Sequence, residues 1–335
     1  MQDTWEQILE YVVRYPSWFN TQPVVFSLAE GRLEVFVDTT RLVEGQATSG
    51  LYAWMAVGMA VESAKIAAAS LGYVLVEDLD ALASDSAGAR YRRVGSLALA
   101  PSHGEVVDLD PELLHRRRTS RLPYSAQTVP HLVVSQMADQ VERLGYRLRD
   151  SDDPGLIQAV LRLSQEAQLA DLADPFRRRQ LQRFLRYTKA QARRTRDGVS
   201  AESLNLPPVL MRLMVGHHLP HRLPVLGRLV RAGYSDAIGS AAHVGWITGR
   251  CANATDAMKA GRAMLRAWLV LADHRLYLQP FGQLLARPHS YSQLIGVLPE
   301  VPEGERVCMI FRMGHTKTPP VSYRRSLEDF LISGS

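Results

Sequence analysis

Cysteine is scarce: Cys251 and Cys308 are the only two in 335 residues, 57 positions apart. Two thiols so spaced exclude both a disulfide framework and a CxxC metal knuckle. Lysine is almost as rare, at four of the 39 basic residues, which leaves 35 arginines. A bias this strong reflects coding composition rather than an electrostatic footprint. The net charge of +5 and pI of 9.3 come with interspersed acids and no RNP-like or zinc-finger pattern, so no nucleic-acid partner is expected. No apolar run reaches the ~20 residues of a membrane span, since the longest, residues 50–61, meets Glu62 and Lys65. The opening MQDTWEQILE has neither a basic nor an apolar leader segment, so the expectation is a soluble, cytoplasmic protein without a signal peptide. GxGxxG and GxxxxGK[ST] loops are missing. Gly233-Tyr-Ser235-Asp-Ala237 lacks the second glycine of a nucleophile elbow, and His217, His218 and His221 have no acidic or thiol partner nearby, so no metal is expected.

What is present is an ordinary globular mixture, 46% hydrophobic and 22% charged, with chain enough for about two domains. A first helix is predicted from a Thr4-x-x-Gln7 capping box and the stripe Trp5, Ile8, Leu9, Val12, ending near Tyr15 because Pro16 follows. Residues 24–28 and 33–37 read as a hairpin. A long small-residue helix over 50–71 stops at Gly72, and 73–76 reads as a buried strand. Asp110-Pro111 and Asp174-Pro175 are helix starts, with helices predicted over 131–144, 154–171 and 175–192. Residues 204–245, rich in Leu, Pro, Gly, His and Arg, read as an irregular insertion that could cover a site. Strands are predicted at 243–248, 276–278 and 307–313, with a long helix over 255–272.

Two long helices echo one another at an offset of 203 residues. Gly58, Ala60, Ala64 and Ala69 recur as Gly261, Ala263, Ala267 and Ala272, each set ahead of a strand. Small residues at this spacing let helix backbones approach closely, as in a duplicated fold. Three segments carry chemistry. Pro16-Ser17-Trp18-Phe19-Asn20-Thr21-Gln22-Pro23 holds amides that can pair with the edge of a planar heterocycle or, equally, satisfy an ordinary turn. Arg117-Arg118-Thr119-Ser120-Arg121 and Tyr323-Arg324-Arg325-Ser326 suit a phosphate, or are solvated faces. Gln279-Pro280-Phe281-Gly282-Gln283 turns sharply out of a strand. Arg177–Arg179 and Arg193–Arg196 read as exposed helix faces.

Together, in this order, these segments resemble the FMN-dependent nitroreductase superfamily, and within it the double-length, Acg-like branch. The NTQP-type loop is Asn20-Thr21-Gln22-Pro23, the R-R-T-x-R-x-P-[FY] signature is Arg117 to Tyr124, and a P-x-x-Q turn is Pro280 to Gln283. The resemblance spans residues 5–331. It implies an α+β protein in which a nitroreductase-like fold is duplicated and fused into a single-chain pseudo-dimer, with halves at 1–109 and 110–335 and a lid-like insertion at 204–245. It implies one FMN per chain, because no second NTQP-like loop exists. Pro16, Ser17, Asn20 and Gln22 would meet the isoalloxazine. Arg117, Thr119, Arg121, Arg324 and Arg325 would hold the phosphate and ribityl end, and Pro280 and Gly282 would carry a backbone N–H toward flavin N5. NAD(P)H-linked reduction of a hydrophobic or aromatic acceptor follows from the resemblance. The alternatives are a flavin-dependent dehydrogenase or oxidase of a small molecule, and a protein that sequesters FMN without turnover. Catalytic side chains are unknown, since neither His289 nor Tyr291 is assigned as a proton donor. Val24, Trp18 and Phe19 depart from the family pattern, and the two aromatics could narrow the space over a flavin or stack on a planar substrate.

Overall fold

A computed structural model describes residues 2–43, 50–80, 89–102, 104, 108–216, 240–299 and 301–332. The chain divides into two compact units. The first comprises 1–117, 252–265 and 324–335, and the second 118–251 and 266–323.

The first unit opens with α1 (Gln2–Val12), which buries Trp5, Ile8, Leu9 and Val12. It starts two residues ahead of the predicted cap, so Thr4 lies within its first turn rather than capping it. The hairpin β1 (Val24–Ala29) and β2 (Arg32–Asp38) turns at Glu30-Gly31, both left-handed, the conformation that suits the twist of a tight hairpin. Next come α2 (Leu51–Ser70), β3 (Tyr73–Leu79) and β4 (Tyr91–Pro101), and the antiparallel sheet runs β1-β2-β4-β3. β3 is therefore an edge strand with Val76 48% exposed, not the buried strand predicted. Its consecutive Glu77 and Asp78, one on each face of the strand, suit an edge better than a core. β4 carries no expectation from the sequence, yet it lies inside the sheet. Its Arg92-Arg93 start and a bulge next to Gly95 mask the apolar alternation. A side chain on Gly95 would place Cβ 2.2 Å from the Asp78 carbonyl oxygen. A short α3 (Glu112–Arg116) follows Asp110, whose carboxylate accepts from the Glu112 N–H. The C-terminal segment lies parallel to β1: Phe26 N–H donates to Phe330 O and Ile332 N–H to Phe26 O, both at 2.8 Å.

The second unit contains α4 (His131–Glu142), β5 (Arg147–Ser151), α5 (Pro154–Ala173) and α6 (Pro175–Phe184). Asp153 and Asp174 cap α5 and α6 through their carboxylates, each followed by proline at the first helical position. The helix predicted over 175–192 is interrupted. β6 (Leu185–Arg186) pairs with β7 (Val199–Ser200), and Thr188 caps a separate α7 (Lys189–Thr195). Arg178, predicted to be exposed, is buried and donates to Leu172 O. After α8 (Pro208–Gly216) come β8 (Val244–Gly249), α9 (Ala254–Asp273), β9 (Tyr277–Pro280), α10 (Pro288–Val297) and β10 (Arg306–Gly314). The sheet order is β5-β8-β10-β9, again wholly antiparallel. Most of the predicted cover at 204–245, residues 217–239 with their histidines and Ser235, lies outside the described residues. Cys251 and Cys308 are buried and unbridged.

Both sheets follow one plan: two strands, a 20-residue helix, then two strands, the last inserted between the second and third. Where β1 and β2 are joined by two residues, β5 and β8 are separated by residues 152–243. Within the first unit α2 meets the opening turns of α9 through two glycines. A Cβ on Gly58 would lie 1.9 Å from Met258 O, and one on Gly261 2.2 Å from Met55 O. The contact is reciprocal, because Met55 and Gly58 plus 203 are Met258 and Gly261. Beside it Arg262 forks onto Glu77 in a bidentate pair, with Glu62 3.9 Å away. That fork ties α9 to β3.

Either Gly58→Ala or Gly261→Ala should force the helix backbones apart and lower stability by about 1–3 kcal/mol or more. Gly296→Ala, in a helix with open space around it, should be neutral or slightly stabilising. Thermal melts of the three variants check this.

Candidate functional site

The loop after α1 is built to a tight specification. Tyr15 is fully buried, and its hydroxyl accepts from Val24 N–H at 2.8 Å, closing the loop across Pro16 to Pro23. Burial pushes the Tyr15 phenol well above its ordinary range, so it stays neutral. Ser17 Oγ accepts from Gln22 N–H at 2.9 Å. Phe19, Asn20 and Gln22 all hold left-handed backbone, with φ of 49°, 55° and 54°. Three such non-glycine residues in one buried loop are uncommon, and strain of this kind concentrates at functional sites.

Arginines grip this loop through its oxygens. Arg324 Nη1 donates to Asn20 Oδ1, and its Nη2 lies 3.5 Å from Tyr15 O. The Arg325 N–H donates to Gln22 Oε1 at 3.0 Å and its Nη2 to Gln22 O at 3.3 Å. Arg117 Nη2 reaches Arg14 O at 3.1 Å, and Arg41 Nη1 reaches Thr21 O at 3.1 Å. These arginines are not solvated faces: Arg117 is 6% and Arg325 9% exposed. Burial, then repulsion from Arg324 and Arg14, drives the Arg117 guanidinium well below its ordinary value. Burial and Arg14 pull Arg324 down to about 9, and burial and Arg41 lower Arg325. Guanidinium groups hold their proton in proteins, so the first unit concentrates positive charge in a desolvated place. An anion there would gain from every one of them.

The first unit thus brings together Pro16, Ser17, Asn20, Gln22, Arg117, Arg324 and Arg325. The remaining four predicted residues, Thr119, Arg121, Pro280 and Gly282, belong to the second unit. There Thr119 forms a parallel bridge with Leu278, and Ser120 N–H donates to Leu278 O at 3.1 Å, which lays this segment along β9. Arg121 is half-buried. Pro280 ends β9 opposite Phe311, and Gly282 is buried at the start of a single helical turn. Gln283 donates to Ser164 Oγ at 2.8 Å.

Sequence reasoning missed three residues. Arg14 and Arg41 complete the cationic cluster, and nothing in their immediate sequence marks them. Arg312 left a readable signal, a lone charge inside the apolar run 307–313. It is fully buried in β10, where Nε donates to Gln279 Oε1 at 3.0 Å, Nη1 to Ser240 O at 2.8 Å and Nη2 to Leu122 O at 3.2 Å. Its guanidinium also lies over the Tyr124 ring. Among the described residues no group of three or more His, Cys, Asp or Glu is placed to hold a metal ion, and no helix is long and apolar enough to cross a membrane.

Beside the loop lies a cavity of about 250 Å³, within the first unit, lined by Trp18, Thr21, Pro23, Thr39, Leu42, Val43, Gly50, Tyr52, Ala53 and Ala56. Trp18 stacks on Tyr52 with ring centroids 4.1 Å apart and planes 25° from parallel.

No protein-family model and no curated protein matches the chain. Among solved structures it is similar to the FMN-dependent nitroreductase NfnB of Mycobacterium smegmatis, crystallised with NADPH, at 13% identity and TM-score 0.40 over 65% of this chain and 94% of that one. It is also similar to the FMN- and NADPH-dependent nitroreductase NfnB of sphigopyxis sp. strain HMH, at 14% identity and TM-score 0.41 over 67% and 98%. A nitroreductase with bound FMN from Bacteroides fragilis follows at 11% identity and TM-score 0.36 over 64% and 92%.

Removing one repelled, buried cation should relieve the cluster. Arg117→Met is expected to hold or raise the melting temperature of ligand-free protein, because a buried charge gives way to an apolar side chain of similar length. The same change should abolish the increase that inorganic phosphate gives the wild type. Differential scanning calorimetry with and without phosphate reads both effects.

Proposed function

We propose that the chain is an FMN-dependent oxidoreductase, built from a duplicated nitroreductase-like fold, that binds one FMN and uses NAD(P)H to reduce a hydrophobic or aromatic acceptor. The observation that carries this reading is the repelled arginine cluster, Arg117 and Arg324 with Arg14, set against a buried amide loop in left-handed conformation. Its donor chemistry fits a phosphate monoester, and the neighbouring amides fit the edge of a planar heterocycle. The common strand order of the two sheets and the 203-residue reciprocity of Gly58 and Gly261 support duplication.

In this reading Arg117, Arg324 and Arg325 hold the phosphate end. Arg324 and Arg325 also fix the amide oxygens of Asn20 and Gln22, which orients both side chains toward the heterocycle. Ser17 and Tyr15 hold the loop closed by hydrogen bonds, so these groups need not reorganise when the cofactor enters. Thr119, Arg121, Pro280 and Gly282 are proposed as further contacts on the sequence resemblance. Bound FMN supplies hydride transfer, and the protein supplies binding, orientation and electrostatics. No side chain is assigned as nucleophile or proton donor.

The purified protein should show absorbance near ~370 and ~450 nm and release FMN at about one per chain. Arg117→Met and Asn20→Ala should each lower FMN occupancy. Protein that remains colourless with excess FMN overturns the cofactor assignment. FMN that binds, yet is bleached by neither NADH nor NADPH under anaerobic conditions, overturns the nicotinamide-linked reaction and leaves sequestration or substrate dehydrogenation.

A further inference from the structure

We infer that Cys251 and Cys308 form a reversible redox pair, oxidised by a small hydroperoxide to a disulfide inside the folded second unit. The inference is independent of the cofactor assignment. These are the only two cysteines of the chain, 57 residues apart, yet their thiols are hydrogen-bonded to one another. A fully buried residue touches about 6–12 others, so two given residues of a 335-residue chain meet by chance on the order of a few times in a hundred. Both lie in the second unit, where β10 bulges against β8. Val307 pairs with Thr248 and Met309 with Ile247, which leaves Cys308 as the extra residue, without a partner on β8. Its sulfur lies 3.8 Å from Gly249 O and 3.5 Å from Arg306 O, and those two residues form the last rung of that ladder. Cys251 follows two residues after Gly249, beyond the end of β8 and next to an Arg250 carbonyl that accepts from the Tyr146 hydroxyl at 2.8 Å. Neither cysteine is held in a rung of the β8–β10 ladder. The two sulfurs are thus free to close from hydrogen-bond contact to the ~2.05 Å of a covalent bond.

The two thiols have different parts. Cys251 is 8% exposed and Cys308 not at all, so an oxidant arriving from solvent meets Cys251 first. The hydrogen bond with Cys251, then burial, raise the Cys308 thiol far above its ordinary value, so Cys308 keeps its proton through the first step. With hydrogen peroxide as the oxidant, the Cys251 thiolate attacks one oxygen and breaks the O–O bond. Cys251 becomes a sulfenic acid, and the departing hydroxide takes a proton and leaves as water. The Cys308 sulfur then attacks the Cys251 sulfur, and the sulfenic hydroxyl leaves with the Cys308 proton as a second water. Two thiols lose two hydrogens, the peroxide gains two electrons, and one S–S bond forms. The bridge closes a loop that holds α9, β9 and α10. A thiol reductant reopens it by exchange.

The test uses the full-length protein as purified, reduced, freed of reductant and treated with hydrogen peroxide. Unfolded afterwards without reductant and exposed to iodoacetamide, the treated wild type should carry no alkylated cysteine. Its digest should yield a Cys251–Cys308 cross-linked peptide that dithiothreitol splits. A bridge that fits the native backbone should hold or raise the melting temperature, by up to roughly 5 °C. Cys308→Ala should leave Cys251 oxidised but unbridged, as a sulfenic acid that dimedone traps. Cys308→Ser replaces that variant if it melts early, and the wild-type peptide map decides by itself if both do. Two free thiols after treatment, or sulfinic acid on one cysteine with no cross-link, overturns the inference. A bridge that forms only when guanidinium precedes the peroxide, or that lowers the melting temperature, overturns it as well. So does a folded Cys308 variant whose Cys251 is untouched by peroxide.

Discussion

The close approach of two helix backbones at Gly58 and Gly261 governs the first unit. Neither position has room for a methyl group, and each glycine receives the main chain of the methionine three residues before the other. The opening of α9 is thereby seated on α2 rather than merely near it. Tyr52, Ala53 and Ala56 lie on the N-terminal turns of the same α2, so the contact that sets the helix also fixes one wall of the cavity. The Arg262–Glu77 fork adds a directional restraint beside a contact that is otherwise steric.

Electrostatics in that unit run against ordinary stability. Proteins usually pair buried cations with carboxylates. Here the groups acting on Arg117 are Arg324 and Arg14, both of the same sign. Arg325 feels Tyr15, Asp329 and Asp38 as well, but burial, followed by repulsion from Arg41, lowers it on balance. An arrangement that disfavours the ligand-free state gives an anion more to gain on arrival, the usual trade between stability and function at a binding site.

Much of the scaffold was legible because its signals are local. The β1–β2 hairpin, the long helices α2 and α9 and the Asp-Pro starts follow from turn chemistry and apolar periodicity, and the 203-residue echo pointed to the two glycines that meet. The misses have physical causes. β5 is a short, polar edge strand, and β4 hides its pattern behind two arginines and a bulge. The helix read over 175–192 ends early because Thr188 offers a better cap than a continuing turn. At the site, residue types were legible but their state was not. Burial of Arg117 and Arg325, and left-handed backbone at Phe19, Asn20 and Gln22, depend on partners hundreds of residues away.

The C-terminal segment has a consequence for how the chain is made. Phe330 and Ile332 complete hydrogen bonds to β1, and Arg324 and Arg325 complete the loop at residues 15–23. The first unit is thus assembled from three stretches of sequence, the last beginning at residue 324. During synthesis it cannot close on itself while most of the chain is still to come. Its β1 edge and the loop at residues 15–23 stay without these partners until residues 324–332 have been made. Contacts of such long sequence separation are slow to form, so the loop at residues 15–23 takes its final shape late.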